Sequence, residues 1–401
     1  MKNPKSVKSL VIYRGEFEAG ILKRTEKGCQ FDYNHDFLKN PQYSGLSYAL
    51  KKSEAPIVIY GANLHPFFAG LLPEGLRLKA LLSKVKTSED DLFSLFAASG
   101  SKCIGDVYAR IDLENQSLLT LPKLREIDFY NFFETLLKEN AYAQGEDVIS
   151  GVQEKISASM INLPLNIAKN YHAYILKLNP KDKPCLVENE LFTMALAKKC
   201  GIDTAQVKFV KDKNDNRGLL VKRFDRVLNP TLKRMTMIHQ EDACQFLNKY
   251  PSEKYRISLN EIAESLKDLA TSSQLATLHL LRLYCFSYII GNGDLHAKNI
   301  SLYTLNDRVT LTPAYDLIST YIYGDHSMAM KVDGKNDNIK RKTIFDFARR
   351  FEIKEKAAKF MLDQLISDAT QHHSLLFKIP MPDRKRLSLE KIIEKRLKDL
   401  S

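Results

Sequence analysis

The sequence predicts an α+β fold in which a strand-rich first half leads into a mainly helical second half. Three observations carry this. Residues 8–35 alternate apolar and polar side chains as a β-meander does. Residues 148–226 run strand, glycine turn, strand ending in a lysine, helix with acids in its first turn, then strands again. Beyond Arg226 apolar residues recur at helical spacing. With 401 residues, 44% of them hydrophobic, the chain can bury a sizeable core and divide into two or three domains.

In order, the meander takes Gly15 and Gly20 as its turn signals, and APIVIYGAN supplies a further strand. A helix begins around Pro73 to Arg77, and DLFSLFAASG reads as a helix ended by Gly100. KCIGDVYARI is a strand. These elements form an N-terminal unit over residues 1–120. Residues 121–226 form a small lobe whose strand NYHAYILKLNP delivers Lys177 near its end, followed by the helix VENELFTMALAKKCGI with Gly201 at its C-terminus. Residues 227–401 form a helical lobe, helical through Ile290 and again from Lys342 onward. In its last segment Leu387, Ile392, Ile393 and Leu397 mark the inner face of a helix with a basic outer face.

Composition narrows the function classes. The apolar runs are too short for a membrane span and the N-terminus lacks a signal-peptide pattern, so a cytosolic protein without a membrane partner is expected. Six scattered cysteines lack metal-ligand spacing and read as reduced thiols. The net charge of +12 favours polyanionic partners such as nucleotides or nucleic acid.

The candidate site is the polar stretch GNGDLHAKNISL, residues 291–302, set between the apolar helix pattern of 278–290 and a hairpin pattern in SLYTL and RVTLT. Polar groups in such a place each need a partner, and function is the usual reason to keep them. Asp294 and Asn299 stand five apart, the D-x-x-x-x-N spacing of a phosphotransfer loop. In such a loop the Asp takes the acceptor hydroxyl's proton and the Asn holds Mg²⁺. Asp316, after the hairpin, stands where the second metal ligand belongs, and Lys177 where a lysine meets ATP phosphates. His296 is expected to brace the loop by hydrogen bonds.

Those residues also carry a family resemblance. The stretches LLPEGLRLKALL, SGVQEK, YILKLNP, LVENELF, VKRFDR, HQED, GNGDLHAKN and LTPAYDL make the chain similar to the HipA family. Members are serine/threonine protein kinases that act as toxins of bacterial type II toxin–antitoxin modules. The resemblance covers about residues 8–380 and implies a bilobal protein-kinase-like fold with an added N-terminal α+β subdomain and an all-helical C-lobe. It places the catalytic Asp on Asp294, with His296 beside it, and the metal ligands on Asn299 and Asp316. ATP contacts are implied for Lys177, for Gly151, Val152, Gln153 and Lys155 of the SGVQEK loop, for Lys298, and for the aromatic residues Phe224 and Tyr315 near the adenine. The hinge falls on Val221 to Phe224, with Lys222 where a Glu is often found. Cofactors so implied are ATP and Mg²⁺.

In the family that loop carries serines whose autophosphorylation ejects it. Here Ser150 is kept and Val148 stands where the first serine of a Ser-x-Ser pattern would be, so Ser150 is the expected autophosphorylation site; its phosphate would repel ATP phosphates by like charge. The resemblance further implies a helix-turn-helix antitoxin, operator DNA bound through it, and an aminoacyl-tRNA synthetase as the protein substrate. Two other readings remain at this point: a small-molecule kinase of the aminoglycoside or choline type, which uses a similar GDLHAKN loop, and a non-catalytic partner of a DNA-binding repressor.

Overall fold

The computed structural model describes residues 3–61, 64–100, 103–110, 123–140, 161–167, 172–180, 183–229 and 234–401. The meander is present as β1 (Ser9–Arg14), β2 (Phe17–Thr25) and β3 (Gly28–Tyr33), followed by α1 (His35–Lys39) and β4 (Ile57–Tyr60). Then come α2 (Pro66–Gly70), α3 (Gly75–Val85), α4 (Leu92–Ser99) and β5 (Val107–Arg110), which closes an antiparallel sheet of order β4-β3-β2-β1-β5. Its inner face buries Leu10, Ile12, Leu22 and Phe31 against Phe67, Phe68, Phe93 and Phe96 of the helices.

One turn signal is corrected. Gly15 does turn the chain, but Gly20 lies inside β2, beside a register irregularity opposite Ile12 and Tyr13. A Cβ on Gly20 would lie 2.1 Å from the carbonyl oxygen of Asp32 on β3. Close strand approach, not a turn, is what requires glycine there.

The middle of the chain supplies α5 (Phe129–Asn140), β6 (Ile161–Ile167), β7 (His172–Leu178), α6 (Leu186–Lys199), β8 (Val207–Lys211) and β9 (Arg217–Lys222), with the four strands ordered β6-β7-β9-β8. Strand alternation sorts β7 into two faces. Leu176 and Leu178 are buried with Phe129 and Phe133 of α5, while Ile175 and Lys177 face the other way.

After Arg226 the structure departs from the helical expectation. The hairpin β10 (Arg226–Asn229) and β11 (Arg234–Met237) comes first, then β12 (Gln240–Asp242), α7 (Ala243–Phe246), α8 (Leu259–Leu269) and α9 (Ser273–Ile290). β13 (Ser301–Leu305) and β14 (Arg308–Leu311) form the expected hairpin, and β12 pairs with β13 to make a three-stranded sheet. Such three- or four-residue strands hold too few alternations to be told from coil by pattern. The chain ends in α10 (Arg341–Arg350), α11 (Glu355–His372) and α12 (Asp383–Leu400). α12 buries Ile392, Ile393 and Leu397, but Leu387 is 48% exposed and lies off the inner face.

α9 is buried along most of its length, in a core shared with α6, α8, α10, α11 and α12. The polar loop is therefore mounted on a long helix enclosed by the core. All six cysteines are free thiols, five of them buried. Among the described residues no helix is long and apolar enough to cross a membrane.

Candidate active site

Gly291 ends α9 in the left-handed region at φ +72°, where a Cβ would lie 2.9 Å from Tyr321. Glycine is what lets the chain leave a buried helix in so tight a turn. Its carbonyl accepts the N–H groups of Thr320 and Tyr321 at 2.9 and 3.1 Å, which ties the loop to the segment just past Asp316. The other end of that segment is tied to α6: Asn189 donates to the Ser319 carbonyl at 2.8 Å and accepts the Ser319 N–H at 3.0 Å, and Thr193 donates to the Leu317 carbonyl. Asp316 itself sits at φ +55°, a left-handed conformation that few non-glycine residues adopt. Aspartate tolerates that region better than most side chains, and the segment that follows it is held from both sides.

Lys177 reaches Asp316 from β7. Its Nζ donates to Glu190 Oε1 and Oε2 at 2.7 and 2.8 Å and also to Asp316 Oδ1. Burial disfavours the ammonium, but Asp316 and Glu190 outweigh it and hold the lysine charged. Lys177 and Glu190 are both buried, whereas the Asp316 side chain is 36% exposed, toward the cavity it lines.

In the loop, the Asp294 carboxylate is buried and accepts the Tyr255 hydroxyl at 3.0 Å. Asp294 is not among the residues of the cavity wall, whereas His296, Lys298 and Asn299 are. Asn299 Oδ1 accepts the His296 N–H at 3.1 Å. His296 braces the loop through that backbone group and through its ring, which meets Tyr255 edge-on at 5.1 Å; its Nδ1 is buried without a hydrogen-bond partner among the described residues. Burial, with Lys254 nearby, pushes the imidazole down to about 3, so it is neutral at physiological pH.

Lys298 is likewise held among carboxylates. Its Nζ donates to Asp242 Oδ2 at 2.7 Å and to the Gly70 carbonyl at 3.1 Å, and lies 3.6 Å from Glu74 Oε1. Glu74 Oε2 is 2.6 Å from Lys254 Nζ. Burial opposes the charge on Glu74, yet Lys298 and Lys254 hold its carboxyl down to about 2. Tyr315 donates to the Lys298 carbonyl at 2.8 Å, bonds Ser301 at 2.6 Å and has Phe224 at 5.8 Å between ring centroids.

One cavity of about 320 Å³ joins these parts. Its wall includes Lys177, Asp316, Asn299, His296 and Lys298 on one side, Val221 to Asp225 on another, and Leu71 to Arg77 of the N-terminal unit. The structure thus brings together Lys177, Phe224, Lys298, Asn299, Tyr315 and Asp316, with Asp294 buried close behind His296 in the loop. Ser150, Gly151, Val152, Gln153 and Lys155 lie outside the described residues.

Four neighbours went unassigned from sequence. Glu190 sits in the ENE run of α6, where a buried acid one helix after the strand lysine was the available signal. Glu74 and Asp242 each stand in motifs already quoted, LLPEGLR and HQED. Tyr255 has no local signal, because only the tertiary fold carries it to Asp294.

Comparisons with known proteins bear on the family and the fold. Residues 10–110 match the HipA N-terminal domain and residues 148–373 the HipA-like C-terminal domain. The chain is similar to the putative kinase Y4mE of Sinorhizobium fredii, 30% identical over 75% of each chain. It is 27% identical to the serine/threonine-protein kinase toxin HipA of Shewanella oneidensis, over 68% of this chain and 67% of that one. Its fold is similar to HipA in the Shewanella oneidensis MR-1 complex of HipA, HipB and operator DNA, with TM-score 0.74 and 22% identity over 97% of this chain and 96% of that one.

Proposed function

Because the chain belongs to the HipA family, a family of kinases, we propose that it is an ATP- and Mg²⁺-dependent serine/threonine protein kinase acting as a toxin. The observation that carries the reading is the pairing of Lys177 with Asp316 on a cavity wall that also takes in Asn299 and Lys298, with Glu190 buried behind the lysine and fixing it. A charged amine, a carboxylate and a neutral amide converging on one cleft suit a magnesium-bound polyphosphate, since Mg²⁺ prefers carboxylate and carbonyl oxygen and keeps phosphate as further ligand. The cavity is within the size range of small-molecule sites.

In this reading Asn299 and Asp316 hold the metal, which when bound neutralises charge on the phosphoryl oxygens. Lys177, fixed by Glu190, meets the donor phosphates, and Lys298 lies beside them. Phe224 and Tyr315 flank the base, and the backbone of residues 221–224 offers it hydrogen bonds, so Lys222 in place of a Glu changes only a side-chain contact. Asp294 takes the proton of the acceptor hydroxyl, its Oδ1 already accepting the Tyr255 hydroxyl. His296, neutral, keeps the loop in shape.

The organisation that goes with this function is an N-terminal unit over 1–120, a nucleotide lobe over 121–226 and a catalytic lobe over 227–401. Gly151, Val152, Gln153 and Lys155 form its phosphate loop, and Ser150 is its autophosphorylation site. A helix-turn-helix antitoxin and, through it, operator DNA are the proposed partners; a structurally similar relative is known with HipB and operator DNA. An aminoacyl-tRNA synthetase is the proposed protein substrate.

The test is transfer of labelled γ-phosphate from ATP into a bacterial lysate by wild type and by Asp294→Asn, followed by mass spectrometry. Label in a protein hydroxyl, absent with the variant, is the expected result. Label confined to metabolites would instead make the chain a small-molecule kinase, and none at all would leave it a non-catalytic partner. Phosphate on Ser150 after ATP treatment is expected in the same experiment; activity persisting with Ser150 unmodified would end the regulatory part.

A further inference from the structure

The N-terminal unit places one charged side chain directly on the phosphotransfer loop. Glu74 precedes the first turn of α3 and makes no capping bond to it. Its two carboxylate oxygens instead reach Lys254 at 2.6 Å and Lys298 at 3.6 Å. The two amines come from different elements: Lys298 from the loop after α9, Lys254 from the segment before α8, whose carbonyl accepts the Ala297 N–H at 3.2 Å. Glu74 therefore bridges two cations that the helical lobe holds close together whatever lies between them.

We propose that Lys254 and Lys298 form a seat for a phosphoryl-type oxyanion, which Glu74 fills from within the chain until such an anion displaces it. This deepens the kinase reading by naming a subsite of the same cleft and rests on that reading for its purpose. Three features favour an anion over a purely structural ion pair. Both lysines and Glu74 line the cavity that also contains Lys177 and Asn299, so the seat is continuous with the remaining phosphate-binding groups. Arg77, one turn along α3 from Glu74, lines the same cavity, as does Arg223. The wall also contains His296, whose buried Nδ1 has no hydrogen-bond partner among the described residues.

Lys298 keeps Asp242 when Glu74 leaves, but Lys254 has no other carboxylate within ion-pair range among the described residues. Loss of Glu74 thus frees Lys254 for the incoming oxygen atoms. A phosphoryl group presents several equivalent oxygens and can bridge two amines as the carboxylate does. An acidic side chain of an acceptor protein offers the same oxyanion chemistry.

The experiment is equilibrium binding of inorganic phosphate and, separately, of a glutamate-rich peptide, to the full chain without nucleotide. Wild type, Glu74→Gln and Glu74→Gln/Lys254→Met are compared by calorimetry, with thermal melts as the folding control. Glu74→Gln should bind phosphate at least about tenfold more tightly than wild type, and Lys254→Met should abolish the gain. A gain for the peptide alone would overturn the phosphoryl assignment, and equal weak binding by all three proteins would overturn the seat. Should Glu74→Gln fail to fold, hydrogen exchange on wild type decides: saturating phosphate should raise exchange at residues 73–77, and no change there contradicts the displacement. None of these readouts needs turnover, so a failure of the kinase reading in the labelling experiment stays separate from a failure here.

Discussion

Two lysines in the cleft are each caged by a pair of carboxylates, and the cages differ in where their walls come from. Lys177 lies between Glu190 of α6 and Asp316, a helix and a segment hydrogen-bonded to each other through Asn189 and Thr193. Lys298 lies between Asp242 of β12 and Glu74, and Glu74 belongs to the N-terminal unit. The first cage is internal to the phosphotransfer scaffold. The second joins the helical lobe to the N-terminal unit, so the same ion-pair chemistry acts within one scaffold in the first case and between distant parts of the chain in the second.

The largest effect expected from breaking this comparison is at Lys177. Lys177→Met leaves Glu190 buried without its counter-charge and should cost about 3–5 kcal/mol of stability, measured by urea denaturation, together with nucleotide binding. Lys298→Met should cost less, because only Asp242 loses its counter-charge while Glu74 still has Lys254. Equal losses would show the two cages to be alike.

A smaller effect comes from pH at the N-terminal wall of the second cage. His65 caps α2, accepting the Phe67 N–H at 3.2 Å, and the far end of α2 supplies the Gly70 carbonyl to Lys298. Burial pushes His65 down to about 4, below the ~6.5 of an unfolded histidine. The unfolded chain therefore binds the extra proton first, and the histidine's contribution is complete above pH 6.5 and lost as pH falls toward 4. Between pH 6.5 and 5 the loss from this group is roughly 2 kcal/mol at most. His65→Asn, which can still cap but does not titrate, should flatten that slope in urea titrations; an unchanged slope would remove His65 from the account.

The smallest effect is at Tyr255. Tyr255→Phe removes one hydrogen bond to Asp294, worth about 1 kcal/mol, and should change the transfer rate by less than about tenfold while nucleotide affinity stays as it was. A change in affinity instead of rate would mean that the tyrosine serves the cavity and not the aspartate.

How much of this could be read from the sequence follows the same division. The placement of Lys177 near the end of a strand and the helix–loop–hairpin around Asp294 were legible, because each rests on local periodicity or on the spacing of a few residues; that Lys177 and Asp316 share a site, 139 positions apart, was expected only from the order of phosphotransfer elements along the chain and the family resemblance. The contacts of Glu74 and Lys254, 180 positions apart, were not, since no local pattern reports a long-range partner. Nor was the covering of Asp294 by Tyr255. The strands β10, β11 and β12 were missed because they are too short to show alternation, and Gly20 was misread because a glycine required by a neighbouring strand looks in sequence like one required by a turn. The two-unit cage is therefore the part that sequence reading alone could not supply.

The most direct test of the central claim is the rate of γ-phosphoryl transfer from ATP to lysate protein by purified wild type and Asp294→Asn, at nucleotide concentrations that saturate both. A loss of about 10²–10⁴-fold in rate with nucleotide affinity unchanged is expected, the size for removing a general base. Equal rates would contradict it.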